Sequence, residues 1–222
     1  MLGDENLEII YTLVKFQDLE LKPRAAEKIR GFFAKEYEDS ELLHNHKGDQ
    51  VIYKYPRVQY KIIKGITMLC GIEEGASLVA NIGLDTELMI LDGKPLHTFQ
   101  REIINGKRNF GLIDYYIEYK FVTPWLALNQ KNNKTYDDAS DMEKEEVLKR
   151  IIVGNIISLA KGLGYTIEKQ IYTWINLKQC PVMFKNIKMR GFIGTFKVNF
   201  MIPDYLGIGK SVSRGFGTII RS

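Results

Sequence analysis

The hydrophobic pattern of residues 7–93 switches repeatedly between the two-residue period of a strand and the 3.6-residue period of a helix. That alternation restricts the fold more than any other feature of the chain. Residues 7–16, rich in Ile, Val and Tyr, predict a strand. Pro23 then opens a helix that places Ala26, Ile29, Phe33 and Tyr37 on one face. Residues 51–64 are strand material broken near Pro56, and residues 66–72 continue in that character. A short helix over 73–81, with acids at its start, precedes a strand over 87–91 that closes on the turn Asp92-Gly93. The order β-α-β-β-α-β is that of a ferredoxin-like unit. A second turn, Asn105-Gly106, marks the expected boundary.

A second unit of similar construction follows. It starts with a long strand over 113–128 and a polar loop over 129–139. Ser140 and Glu143 form a capping box for a helix reaching about Lys161, with Val147, Leu148, Ile151, Ile152, Ile156 and Leu159 inward. Residues 166–177, 182–190 and 192–201 predict strands, and 218–220 a terminal one. No second helix is evident, and a glycine-rich loop occupies its place. The expected fold class is therefore α+β: two tandem ferredoxin-like, or RRM-like, domains over 1–108 and 109–222, the second irregular.

The loop reads DYLGIGKSVSRGFGTIIR, residues 204–221. It sets Gly207, Gly209, Gly215 and Gly217 around Lys210, Arg214, Ser211 and Ser213. Glycines let backbone approach a ligand closely, and cations with hydroxyls supply donors to phosphate. A P-loop requires Gly five residues before Gly209-Lys210-Ser211, where Asp204 stands, and a following helix. A dinucleotide fingerprint requires a βαβ unit that this segment does not supply. The remaining alternatives are an anion-holding loop and a plain glycine turn between strands.

Charge placement favours a polyanion. The chain carries a formal net charge of +4, yet residues 178–222 hold eight Lys and Arg against the single Asp204. Phe184, Phe192, Phe196 and Phe200 in this stretch fit the apolar side of strands better than base-stacking platforms. Residues 1–10 lack the pattern of a secretory signal, and no apolar run of about 20 residues is present, so a soluble cytoplasmic protein is expected. Cys70 and Cys180 lack paired spacing for zinc or a disulfide framework.

His44 and His46 sit two residues apart after the first helix, so an extended backbone would put both rings on one face. Imidazole titrates near neutrality, which lets one ring accept a proton while its partner gives one. Cleavage of RNA by its own 2′-hydroxyl needs such a pair, together with donors to the phosphorane; Tyr53, Tyr55 and Lys35 are candidates for those. A solvated His-x-His, or an adventitious metal site with Glu41 or Asp49 nearby, is the plainer alternative. The letters H-N-H here are consecutive and do not match the dispersed residues of HNH nucleases. His97 lacks partners and reads as structural.

The stretch LLHNHKGDQVIYKYPRVQYKIIKG, residues 42–65, and Gly215-Phe216-Gly217 just before the last strand resemble the CRISPR-associated endoribonucleases of the RAMP superfamily that process precursor crRNA, in their paired-histidine branch. The resemblance spans the chain. It implies His44 and His46 as the acid/base pair, Tyr53 as a donor to the reacting groups and Lys35 as a phosphate stabiliser. It also implies RNA-backbone contacts from Gly207, Gly209, Lys210, Ser211, Arg214, Gly215 and Gly217. The implied reaction uses no metal or cofactor and leaves a 5′-hydroxyl and a 2′,3′-cyclic phosphate or 3′-phosphate on CRISPR repeat RNA. Subunits of a CRISPR effector complex and a second copy of the chain are further candidate partners; a membrane is not. Two other readings keep the RNA and change the chemistry: a non-catalytic RNA-binding subunit of an effector complex, and a metal-dependent nuclease centred on His44 and His46.

Overall fold

The computed structural model describes residues 7–38, 40–43, 46–47, 50–51, 55–184 and 187–222. The chain divides into two units, one formed by Glu8–Arg108 with Val212–Gly215, the other centred on Asn109–Ser211 with Phe216–Ser222.

In the first unit, β1 (Leu7–Glu20) leads through a 3-10 turn at Pro23–Ala25 into α1 (Ala26–Glu36). Ala26, Ile29 and Phe33 are the buried side chains of that helix, as the spacing requires. Two short strands, β2 (His46–Lys47) and β3 (Gln50–Val51), precede β4 (Val58–Ile63) and β5 (Ile66–Ile72). Helix α2 (Glu74–Asp85) follows, and Arg101 closes its end by donating to the Leu84 and Thr86 carbonyls at 3.2 and 2.6 Å. One core, including Phe16, Phe33, Tyr60 and Leu69, lies between these helices and the sheet.

Residues expected to supply the fourth strand do something else. Strand β6 (Leu88–Leu91) pairs with β7 (Lys94–His97) as a separate hairpin. The fourth place is taken by β8 (Arg101–Trp125), which gives the order β4-β5-β1-β8. Side chains tie β1 to β8 in opposite sense: Lys107 to Glu8 at 2.9 Å, Asn105 to Thr12 at 2.8 Å, Lys15 to Glu102 at 3.1 Å. Asn105-Gly106 therefore lies inside a strand and makes no turn. The Asn105 amide that suggested a turn instead donates to the Thr12 hydroxyl.

In the second unit, β8 runs on to Trp125, and Asn129 caps α3 (Gln130–Asp138) by accepting from the Asn132 amide at 2.7 Å. This segment was expected as a loop because it is polar nearly throughout. Its helix is held from outside: Tyr136 packs edge-on against Phe192, and Asp137 pairs with Arg190 at 2.7 Å. Helix α4 (Asp141–Gly162) starts on the Ser140–Glu143 capping box, with the Ser140 amide donating to Glu143 at 2.8 Å. Ile151 is only half-buried, and the other five expected core residues are buried.

The three strands expected over 166–201 are two: β9 (Thr173–Phe184) and β10 (Ile187–Met201), antiparallel with Ile187 opposite Phe184 and Val198 opposite Thr173. β8 pairs on one side with β10 and on the other with β11 (Ile219–Arg221). The order β9-β10-β8-β11 is again ferredoxin-like, with the glycine-rich loop in place of the second helix. No described helix is long and apolar enough to cross a membrane.

Candidate functional site

The segment bearing the histidines leaves α1 through a turn in which the Ser40 amide donates to the Tyr37 carbonyl and Leu43 to Ser40, at 3.0 and 3.1 Å. Leu43 is 3% exposed and joins the core, which anchors the chain one residue before His44. His44 and Tyr53 lie outside the described residues. The backbone at His46 is extended in β2 and paired with Val51 in β3. Lys35 is exposed in the last turn of α1.

The glycine-rich loop is clamped at its neck and folded onto protein. The Tyr205 amide donates to the Ile219 carbonyl, Ile208 to Gly217, and Ile219 to Leu206, at 2.7–3.0 Å; Gly207 bridges to Thr218. Gly217 has φ +62°, and a Cβ there would lie 2.1 Å from the Ile208 carbonyl oxygen, so no larger residue fits without moving the neck. Gly209 lies against the Trp125 indole and the Asn155 side chain, which are hydrogen-bonded to each other at 3.0 Å. Lys210 donates to the Leu128 carbonyl at 3.1 Å, and partial burial lowers its pKa. Ser211 takes φ +57°. A P-loop helix does not follow; the chain makes one 3-10 turn, Val212–Arg214.

That turn belongs to the first unit. It packs along β4, whose outer edge has no strand partner among the described residues, and a Cβ on Gly215 would come within 2.9 Å of the Tyr60 carbonyl oxygen. Arg214 meets Glu27 at the start of α1, at 3.5 Å. Helix α1 thus carries the Arg214 contact at one end and Lys35 at the other. Eight residues at 1.5 Å each separate Glu27 from Lys35 by roughly 12 Å along the axis. The loop cations are each engaged, one with a carbonyl and one with a carboxylate.

Sequence reasoning missed a polar chain buried beside this turn. Lys61 is fully buried and donates to Gln59 at 2.7 Å, and Gln59 donates to the Tyr55 hydroxyl at 2.8 Å. Desolvation lowers the Lys61 pKa to about 8, and burial raises the adjoining Cys70 thiol to about 11. In VQYKII the alternating Gln and Lys predict a solvent face, so only the observed burial of both faces of β4 exposes the feature.

Two ferredoxin-like units in tandem, the second ending in a glycine-rich loop before its last strand, define a RAMP-type protein of the Cas6 class. The Cas6b N-terminal domain model matches residues 7–109 and the Cas6b C-terminal domain model matches residues 111–222. The chain belongs to the Cas6b family. A crystal structure of Cas6b aligns over 97% of this chain and 100% of that one, at 40% identity and a TM-score of 0.93. The crystal structure of a Cas6b described as a CRISPR RNA processing endoribonuclease aligns over 97% and 100%, at 38% identity and a TM-score of 0.80. An uncharacterized protein of Methanocaldococcus jannaschii is 46% identical over 125 residues, 54% of this chain and 85% of its own length.

Proposed function

We propose that this protein is a metal-independent endoribonuclease that cuts CRISPR repeat RNA to release mature crRNA. The observation that carries the reading is the match of both halves of the chain to one family, a solved member of which is described as a CRISPR RNA processing endoribonuclease. Domain 1–108 carries the histidine pair and domain 109–222 supplies the glycine-rich loop, whose Val212–Gly215 segment is seated in the first unit. One of His44 and His46 takes the proton of the 2′-hydroxyl, whose oxygen attacks the adjacent phosphorus; the other protonates the departing 5′-oxygen. Tyr53 donates to the reacting phosphate, and Lys35 supplies a positive field to it. Gly207, Gly209, Lys210, Ser211, Arg214, Gly215 and Gly217 hold the RNA backbone.

The test is incubation with end-labelled repeat RNA in excess EDTA, followed by analysis of the ends. The expected products carry a 5′-hydroxyl and a 2′,3′-cyclic phosphate or 3′-phosphate. Loss of cleavage on chelation, or a 5′-phosphate product, overturns the mechanism. His44→Ala or His46→Ala alone should slow cleavage by about 10²- to 10⁴-fold while leaving RNA binding nearly intact, and the double variant tests the pair. Full activity in that double variant removes the pair from catalysis.

A further inference from the structure

The outward side of the C-terminal sheet carries two large aromatic side chains that cover no core. Tyr116 on β8 and Trp174 on β9 are each 50% exposed, and their rings meet edge to face at 4.6 Å. Their neighbours follow from the register: Trp174 is opposite Lys197, Lys178 opposite Ile193, and Lys120 opposite Thr195. Alternation puts Phe196 and Val198 in the core and Lys197 outside, so Lys120, Lys178 and Lys197 share this side with Glu118, which meets Lys197 at 3.7 Å and leaves it 58% exposed. The rings border a depression of about 800 Å³. Tyr116 also lines a second depression of about 330 Å³, whose Lys169, Gln170 and Tyr172 are shared with a groove of about 990 Å³ beside α4; Asp114 and Glu146 are the acids of those two linings. Exposed rings with lysines beside them on one face of a sheet are the chemistry of single-stranded nucleic acid, which needs charge for its phosphates and flat apolar faces for unpaired bases.

We infer that this face is a second RNA-contact surface, on which Tyr116 and Trp174 stack unpaired bases while Lys178 and Lys197 meet the adjoining phosphates. The surface lies in the C-terminal unit and uses none of the glycine-loop residues. The inference rests on the RNA-processing reading above, and it names a part of that substrate: a single-stranded stretch of the precursor.

The chain has two tryptophans, Trp125 wholly buried and Trp174 half exposed, so acrylamide quenching of intrinsic fluorescence reports on Trp174. The probes are oligoadenylate and repeat RNA in 2′-O-methylated, uncleavable form. Binding should shield Trp174 from acrylamide. Trp174→Phe should abolish that change while keeping affinity within about threefold, because the phenyl ring still stacks. Tyr116→Ala with Trp174→Ala should weaken binding by about 10-fold or more. Lys178→Ala with Lys197→Ala should reduce the slope of log affinity against log salt by about 1.4, at about 0.7 for each single-strand phosphate contact.

RNA that binds tightly while Trp174 stays open to acrylamide overturns this inference and leaves the processing activity standing. Failure to bind or cut repeat RNA at all overturns both. Shielding of Trp174 that grows with protein concentration in the absence of RNA overturns it in favour of a contact between two copies of the chain.

Discussion

Lys61→Met should make the protein more stable at neutral pH, the reverse of the usual outcome at a buried position. The ammonium is fully buried with Gln59 as its acceptor, and desolvation lowers its pKa from 10.5 to about 8. At about 1.4 kcal/mol per pH unit, keeping the charged form inside costs about 3 kcal/mol below pH 8. Methionine keeps the unbranched apolar stem without that cost, and removes the Lys61 hydrogen bond to the Gln59 oxygen at about 1 kcal/mol. The net gain of about 2 kcal/mol corresponds to a Tm rise of roughly 4–8 °C for a chain of this size.

The pH dependence follows with its sign. The folded pKa lies below the unfolded one, so the unfolded chain binds more protons between about pH 8 and 10.5, and the Lys61 contribution to stability rises through that window. Cys70 acts oppositely, since its thiol is raised from 9.0 to about 11 and its contribution falls between those values. The parent protein should therefore gain stability from pH 8 to 9 and then level off, and Lys61→Met should lose the gain. Calorimetric melting of both proteins from pH 7 to 10 reads this out. A variant that melts lower at pH 7, with a difference from the parent that does not change with pH, would refute the argument that the ammonium is desolvated.

Three further outcomes are expected. Gly217→Ala should lower Tm by more than Gly93→Ala, since both take positive φ but only Gly217 has a carbonyl oxygen 2.1 Å from the added carbon. Equal melting shifts would show that the neck yields freely. Glu27→Gln should change stability by less than about 1 kcal/mol, because Glu27 is half exposed, yet strengthen RNA binding a few-fold by removing one negative charge from beside Arg214; filter binding at two salt concentrations measures it. Ellman's reagent at pH 8 should titrate the half-buried Cys180 in the native protein and Cys70 only after unfolding, since Cys70 is wholly buried with its thiol raised to about 11. Equal native rates for the two thiols would contradict that.

The two-unit plan was readable because it is written in periodicity. The helical spacing of Ala26, Ile29 and Phe33 and the Ser140–Glu143 box are local signals, and both led to the observed helices. The errors came where distant groups decide the matter. Asn105-Gly106 has turn chemistry, but the Asn105 amide donates to the Thr12 hydroxyl some 90 residues earlier, and the pair lies within β8. Helix α3 depends on Phe192 and Arg190, which its own letters do not reveal. Histidine spacing and glycine content drew attention to both parts of the candidate site. That Lys210 and Arg214 are each already engaged depends on Leu128 and Glu27, neither of them near in sequence.

The seating of Val212–Gly215 against β4 has a consequence for how the chain matures. A nascent polypeptide emerging from the ribosome exposes the edge of β4 about 150 residues before the segment that covers it exists. Throughout that interval the half-built protein presents an open strand, a natural target for chaperones or for wrong pairing with another chain. The first unit is therefore complete only once residues 212–215 have been made.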